Sequence, residues 1–183
     1  PIAATTEAIF AEEPAYLDVL FAEEFQKLGG KFFYCEHVEE FTASLDLIAK
    51  QFNWQKIHCV HPQIKVALDS ANINYINSLD NLLEADVCIT ACDALIARTG
   101  SILVSSAKPS NRSMSIVPPV HIVIATPNQV IYNSSDLIDI YDEKLPSMIC
   151  LTSGNSCTAD IEKTLVNGAH GPKSIYLFMI DIA

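Results

Sequence analysis

The chain has 183 residues, half of them apolar and 18% charged, with a formal net charge of −11. This length and composition exclude a disordered chain and suit one domain, which we expect to span residues 1–183. The 11 basic residues form no cluster in the sequence and are outnumbered by 22 acidic residues, which excludes a nucleic-acid surface. Since no apolar run reaches the ~18 residues of a membrane helix, no membrane span is predicted.

The first half of the chain alternates apolar runs with amphipathic segments. In residues 14–28 the apolar side chains recur at helical spacing, and Gly29 and Gly30 follow as a stop signal. The same patterns predict further helices over residues 38–52 and 62–71, and strands over 31–35, 56–60 and 73–76. This alternation predicts an α/β fold with an open, mostly parallel sheet and helices on both faces.

The second half is richer in strands. Apolar runs predict strands over residues 87–91, 94–98, 101–105, 120–125, 148–152 and 174–182. Thr99 and Gly100 predict a hairpin turn near residues 94–105. The polar stretch 105–115 is expected to be a loop. Short helices are predicted over residues 135–141 and 158–166.

Six cysteines are spread along the chain: Cys35, Cys59, Cys88, Cys92, Cys150 and Cys157. They form no C-x-x-C pair, and four of them lie in apolar, strand-like runs. We therefore expect buried, reduced thiols and a cytoplasmic protein, with disulfide bonds or a metal site as the alternatives. No sequence motif for a cofactor or a metal ion occurs, so neither is predicted.

The turn at residues 153–160 is the first candidate for a ligand site. It follows a predicted strand and opens a predicted helix, whose first N–H groups lack helical partners and carry partial positive charge. Gly154 lets the backbone approach a ligand closely, and Ser153, Ser156 and Thr158 add hydroxyl groups. These features predict a cradle for a phosphate or a carboxylate. The alternative is an ordinary helix cap made from the same residue types.

Three further side chains could carry chemistry. Arg98, just before Thr99 and Gly100, is expected either to clamp an anionic group or to form a salt bridge. His121 heads a predicted buried strand, and His170 lies in a tight turn. Each histidine is either a packing residue or a general acid or base near neutral pH.

Four strings resemble the LUD domain family, in particular its lactate utilization protein C type. They occur in order: Ala-Arg-Thr-Gly-Ser-Ile-Leu-Val at 97–104, Pro-Pro-Val-His-Ile-Val-Ile-Ala at 118–125, Thr-Ala-Asp-Ile-Glu at 158–162 and Gly-Ala-His-Gly-Pro at 168–172. The resemblance covers residues 85–183. It implies a fold like that of the NagB/RpiA/CoA transferase group and a part in the oxidation of L-lactate to pyruvate with iron–sulfur partner proteins.

On the hypothesis of a LUD-domain protein that acts on lactate or a related 2-hydroxy acid, the candidate residues take the following roles. His121 or His170 would transfer a proton, Asp160 would orient the turn or a histidine, and the remaining candidates would hold a small anion. Asn155 and Cys157 stand where the family has proline and arginine, which removes a permanent cation from the turn. The alternatives are a non-catalytic scaffold subunit and another enzyme of the same fold group, a sugar-phosphate isomerase or a CoA transferase. A homo-oligomer is left open.

Overall fold

A computed structural model describes residues 15–106, 109–136, 141, 146–155, 157–159, 165–167 and 171–181. The helices in these ranges are α1 (Leu17–Lys27), α2 (Val38–Phe52), α3 (Pro62–Ser70) and α4 (Pro109–Ile116). The strands are β1 (Lys31–Cys35), β2 (Ile57–Cys59), β3 (Val87–Ala91), β4 (Ala94–Ile96), β5 (Ser101–Ser105), β6 (Val120–Ala125), β7 (Val130–Ile131), β8 (Ile149–Thr152), β9 (Cys157–Ala159), β10 (Leu165–Asn167) and β11 (Ser174–Ile180).

The main sheet has the strand order β1-β11-β6-β3-β2, and its neighbouring strands are all parallel. Its central strands are nearly continuous apolar runs because both faces of the sheet are covered. On one face, Phe41 of α2 and Leu68 of α3 pack in the same core as Phe178 of β11. The open parallel sheet predicted from the alternating pattern is therefore confirmed.

A second sheet, with the order β7-β4-β5-β8, covers part of the other face. Strands β4 and β5 are antiparallel and are joined by a 3₁₀ turn at Ala97–Thr99, followed by Gly100 with φ of 58°. The hairpin predicted near residues 94–105 is thus confirmed. This sheet shares a core with α1, whose Phe21 and Phe25 are fully buried. Helix α4 adds Met114 on the same side, so helices lie on both faces.

Two predictions of local structure were wrong. The predicted helix at residues 158–166 is replaced at both of its ends by the antiparallel strands β9 and β10. In an antiparallel pair, the backbone N–H and C=O groups form hydrogen bonds with the neighbouring strand. These residues therefore do not need the hydrogen bonds of a helix. The predicted loop at 105–115 contains α4, which has Pro109 in its first turn and is anchored by the buried Met114. The predicted helix at 135–141 is a 3₁₀ turn at Ser134–Asp136, and its remainder falls largely outside the described residues.

Five cysteines whose side chains the structure describes form no disulfide bond: Cys35, Cys59, Cys88, Cys92 and Cys150. Burial raises the pKa of Cys59 to about 11 and that of Cys88 to about 12, which keeps both protonated and unreactive at neutral pH. The expected burial is found for Cys35, Cys59, Cys88 and Cys92, whereas Cys150 is only partly buried; that the thiols are reduced stays a prediction. None of the helices described is both long enough and apolar enough to traverse a bilayer.

Candidate functional site

A cavity of about 320 Å³ opens at the carboxyl edge of the main sheet. Its floor is made by the residues that end β3, β6 and β11, and its walls by the first turns of α2 and α3. The lining residues are Val38, Phe41, His61, Gln63, Ile64, Ala67, Ala91, Cys92, Ile124, Ala125, Thr126, Gln129 and Ile180. Ligands of open α/β proteins commonly bind at this edge, where strands end and helices begin.

Two helices begin at the wall of this cavity. Helix α3 has His61 as N-cap residue and Pro62 in its first turn, and the N–H of Lys65 closes the first helical bond to the His61 carbonyl at 3.0 Å. The N–H groups of the first turn have no intrahelical partner, and the helix dipole makes this end partially positive. No acidic residue lies in the first turn of α3, so an anionic group is favoured there.

The start of α2 is less suited to an anion. Glu39 and Glu40 lie in its first turn. The Glu40 carboxylate accepts the backbone N–H of Glu36 at 2.9 Å, which already supplies negative charge to this end of the helix. The start of α3 is therefore the more positive side of the cavity, and the start of α2 the more negative side.

Gln129 braces the floor of the cavity. Its side-chain amide donates to the Cys92 carbonyl at 2.8 Å, and its amide oxygen accepts the Thr126 backbone N–H at 2.8 Å and the Thr126 hydroxyl at 3.3 Å. These bonds tie the residues that follow β3 to those that follow β6. The floor is consequently a preorganised polar patch within a mainly apolar cavity.

The structure brings together some of the residues predicted from the sequence, at a different place. Ser101 links Thr99 and Ser153 through hydroxyl contacts of 2.7 and 2.6 Å in the second sheet. Arg98 is exposed and its guanidinium approaches the Asn133 side-chain oxygen at 3.5 Å. Thr99 is also exposed. None of these residues lines the cavity at the carboxyl edge.

The two predicted glycines contact helix α1. A Cβ on Gly100 would lie 2.5 Å from the backbone nitrogen of Phe25, and one on Gly154 would lie 2.4 Å from the Leu28 carbonyl oxygen. Asn155, next in the chain, donates to the Gly29 carbonyl and accepts the Ile175 backbone N–H, both at 3.1 Å. In the structure the close backbone approach predicted for Gly154 is to α1. Ligand binding by these residues stays a prediction.

His121 is the second residue of β6, near the amino end of that strand, and is 1% exposed. Its Nε2 lies 2.8 Å from the Thr90 hydroxyl, while its Nδ1 is buried without a hydrogen-bond partner in the described part of the chain. Burial lowers the pKa of His121 to about 3, so the imidazole is neutral at pH 7. Its register partner in β11 is Ile175, which Asn155 binds, so the 153–155 segment lies one strand away.

Four predicted site residues cannot be placed in the same way. Ser156, Asp160, His170 and the side chain of Thr158 lie outside the described residues. The predicted cradle relied on the N–H groups and the dipole at the start of a helix. The structure has strand β9 at the position where that helix was expected to begin, so this source of positive charge is missing there. Any anion at residues 153–160 would have to be held by loop and strand groups instead of by a helix dipole.

Sequence reasoning did not find the residues of the cavity. Most of them are apolar and belong to the same patterns as the core, and they come from five separated stretches of the chain. Two local signals do point to them: the His61-Pro62 helix start, and the Thr126-Pro127 turn directly after a buried strand. Neither signal indicates a ligand site by itself, because the same residue types mark ordinary helix starts and turns.

A comparison with protein families decides the relationship. The family model described as the LUD domain matches residues 19–180. This chain belongs to the LUD domain family. In fold, it is similar to a DUF162 family protein from Deinococcus radiodurans, with a TM-score of 0.69 and 18% sequence identity over 93% of this chain and 99% of that one.

Curated relatives of this LUD domain match over shorter stretches. Lactate utilization protein C of Bacillus subtilis is 32% identical over 54% of this chain and 44% of the relative. That of Halalkalibacterium halodurans is 34% identical over 54% of this chain and 46% of the relative. An uncharacterized protein of Neisseria meningitidis is 35% identical over 46% of this chain and 38% of the relative. Each match spans about half of the curated relative or less.

Proposed function

We propose that this LUD domain takes part in lactate utilization by binding a small 2-hydroxy or 2-oxo acid, such as L-lactate or pyruvate, in the cavity at the carboxyl edge of the main sheet. The observation that carries the proposal is the position of the cavity, where three parallel strands end and α3 begins. Support for lactate as the chemistry comes from relatives that bear the name lactate utilization protein C.

The lining of the cavity fits the two parts of such an acid. The carboxylate would lie at the start of α3, near the N–H groups of Gln63 and Ile64, where helix dipole and unpaired donors favour an anion. The hydroxyl or keto group would face the Thr126 hydroxyl and the polar patch that Gln129 braces. The methyl end would face apolar residues of the wall such as Phe41.

The net charge of −11 opposes the binding of an anion at long range. We therefore expect modest affinity that depends on the local geometry instead of on the overall field. Because added salt screens the long-range repulsion but not the short hydrogen bonds, raising the ionic strength should strengthen binding slightly.

The proposal is tested by thermal unfolding in the presence of L-lactate, pyruvate and, as a control for ionic effects, acetate. A ligand at 100-fold excess over its Kd stabilises the folded state by about 2.7 kcal/mol. We expect L-lactate or pyruvate to raise the unfolding temperature and acetate to leave it unchanged at the same ionic strength. Equal shifts with all three acids, or no shift with any, would contradict the proposal.

We also propose that the chain works with iron–sulfur partner proteins. Support comes from the resemblance to lactate utilization protein C and from Ile149 and Leu151, which are exposed by 36% and 47% on the edge strand β8. Apolar side chains on an exposed edge strand favour a protein contact. When this chain is tagged and co-expressed with the iron–sulfur lactate utilization proteins, the purified chain should carry iron from its bound partners. Purification of L151K should recover the chain without iron. Elution of the tagged chain free of iron would contradict this assembly.

The residues predicted from the sequence remain a second proposed site. His121, His170 and Asp160 would be its proton-transfer and orienting groups, and Arg98, Thr99, Gly100, Ser153, Gly154, Ser156 and Thr158 would bind its anion. The hydroxyl contacts that join Thr99, Ser101 and Ser153 favour this arrangement. The neutral, buried state of His121 counts against proton transfer by that residue at pH 7.

A further inference from the structure

We infer that the ligand site extends beyond the cavity into a groove between α2 and α3, and that the preferred ligand is a 2-hydroxy or 2-oxo acid with an extended apolar tail. This inference rests on the proposed function, since it concerns the same site. The inferred ligand is longer than the lactate or pyruvate of the proposed function. A three-carbon acid would leave the groove and much of the cavity unfilled.

The groove has a volume of about 570 Å³ and shares part of its lining with the cavity. Val38, Gln63 and Ala67 line both of them. The cavity alone, at about 320 Å³, already falls within the roughly 300–1,000 Å³ of sites that hold drug-sized ligands. The space available at this edge of the sheet is therefore suited to a molecule longer than lactate.

The lining of the groove is apolar where a tail would lie. Val66 is 65% exposed there. The hydroxyl of Thr42 donates to the Glu39 carbonyl at 3.0 Å, and that of Ser70 donates to the Val66 carbonyl at 2.9 Å. Because both hydroxyls are engaged within their own helices, they do not require a polar partner from a ligand.

Charge fixes the direction in which such a ligand would bind. The ionisable side chain among the groove residues is that of Glu39, which is exposed. A carboxylate in the groove would meet this like charge, whereas at the start of α3 it would meet partially positive N–H groups. The acid head therefore belongs in the cavity and the tail in the groove.

Isothermal titration calorimetry with lactate, 2-hydroxyhexanoate and 2-hydroxyoctanoate tests this inference. Burying one methylene group strengthens binding about fourfold, so the Kd should fall by about that factor for each methylene that enters the groove. Val66 lines the groove but not the cavity, so V66D should place a charge where the apolar tail would lie and leave the cavity open. Ala43 is exposed on α2 and lines neither space, so A43D, which adds the same charge, is the matched control.

The inference is supported if the Kd falls with chain length in the unchanged protein and in A43D, while in V66D the Kd no longer falls with chain length. If lactate binds but chain length has no effect in the unchanged protein, or if V66D keeps the full dependence on length, the groove is not part of the site and the proposed function still stands. If none of the acids binds, the inference and the proposed function fail together.

Discussion

Acidification should destabilise the folded chain through His121. The unfolded imidazole titrates near pH 6.5, whereas burial lowers the folded-state pKa of His121 to about 3. Between these values only the unfolded chain takes up the proton. Stability is therefore full above about pH 6.5 and is lost as the pH falls toward 3, by about 1.4 kcal/mol for each pH unit. From pH 7 to pH 5 the loss amounts to about 2 kcal/mol.

Urea unfolding of the unchanged protein and of H121Q measures this loss. Gln is neutral at every pH and can keep a hydrogen bond to the Thr90 hydroxyl, which His121 contacts at 2.8 Å. Other titrating groups act equally on both proteins and cancel in the comparison. The stability of H121Q should fall by about 2 kcal/mol less than that of the unchanged protein between pH 7 and pH 5. An equal fall in both would mean that His121 titrates normally in the folded chain, and the reasoning from burial would be refuted.

Three further substitutions test packing and the site. A91F should fill the floor of the cavity and weaken lactate binding at least tenfold, while A43F on the exposed face of α2 should leave binding unchanged in calorimetry. G154A should lower the unfolding free energy by more than about 1 kcal/mol, because φ is 80° at Gly154 and the added Cβ would meet the end of α1; an unchanged urea midpoint would count against this. F178A should cost about 3–5 kcal/mol, since Phe178 is fully buried, whereas F52A, at a residue that is 52% exposed, should cost much less; equal losses would argue against the described core.

Much of the fold could be predicted because the apolar pattern repeats the period of each element. Helix α2 was predicted over residues 38–52 and occupies Val38–Phe52. Phe41 and Leu45, four residues apart, are both buried on one face of it. Strands β1, β3, β5 and β6 likewise coincide with their predicted runs. In these segments the local preference and the tertiary environment favour the same structure.

The sequence was misleading where tertiary pairing decides the structure. Ile161 and Leu165 have helical spacing, yet the segments on either side of 160–164 form an antiparallel pair. Helix α4 is rich in Ser and Asn, which are poor helix formers, and burial of Met114 under the main sheet compensates. The second sheet was also not predicted, because its strands are joined by pairings between distant parts of the chain.

The candidate site was predictable in principle but not in its residues. The rule that ligands bind at the carboxyl edge of a parallel sheet was available from the fold class. Which strand ends are neighbours at that edge depends on the strand order, which the sequence does not reveal. For example, β11, the last strand in the chain, lies between β1 and β6. The hydroxyl-rich turn at 153–160 attracted attention because polar residues stand out in a sequence, whereas a cavity lined by Ile124 and Ile180 does not.

The location of the ligand is tested most directly by amide chemical-shift mapping during a titration with L-lactate. We expect the shifts to concentrate at the carboxyl edge of the main sheet, on Ala91, Thr126 and Ile180, with the first turn of α3. Shifts concentrated on Thr99 and Ser153 of the second sheet, with the carboxyl edge unaffected, would contradict the account.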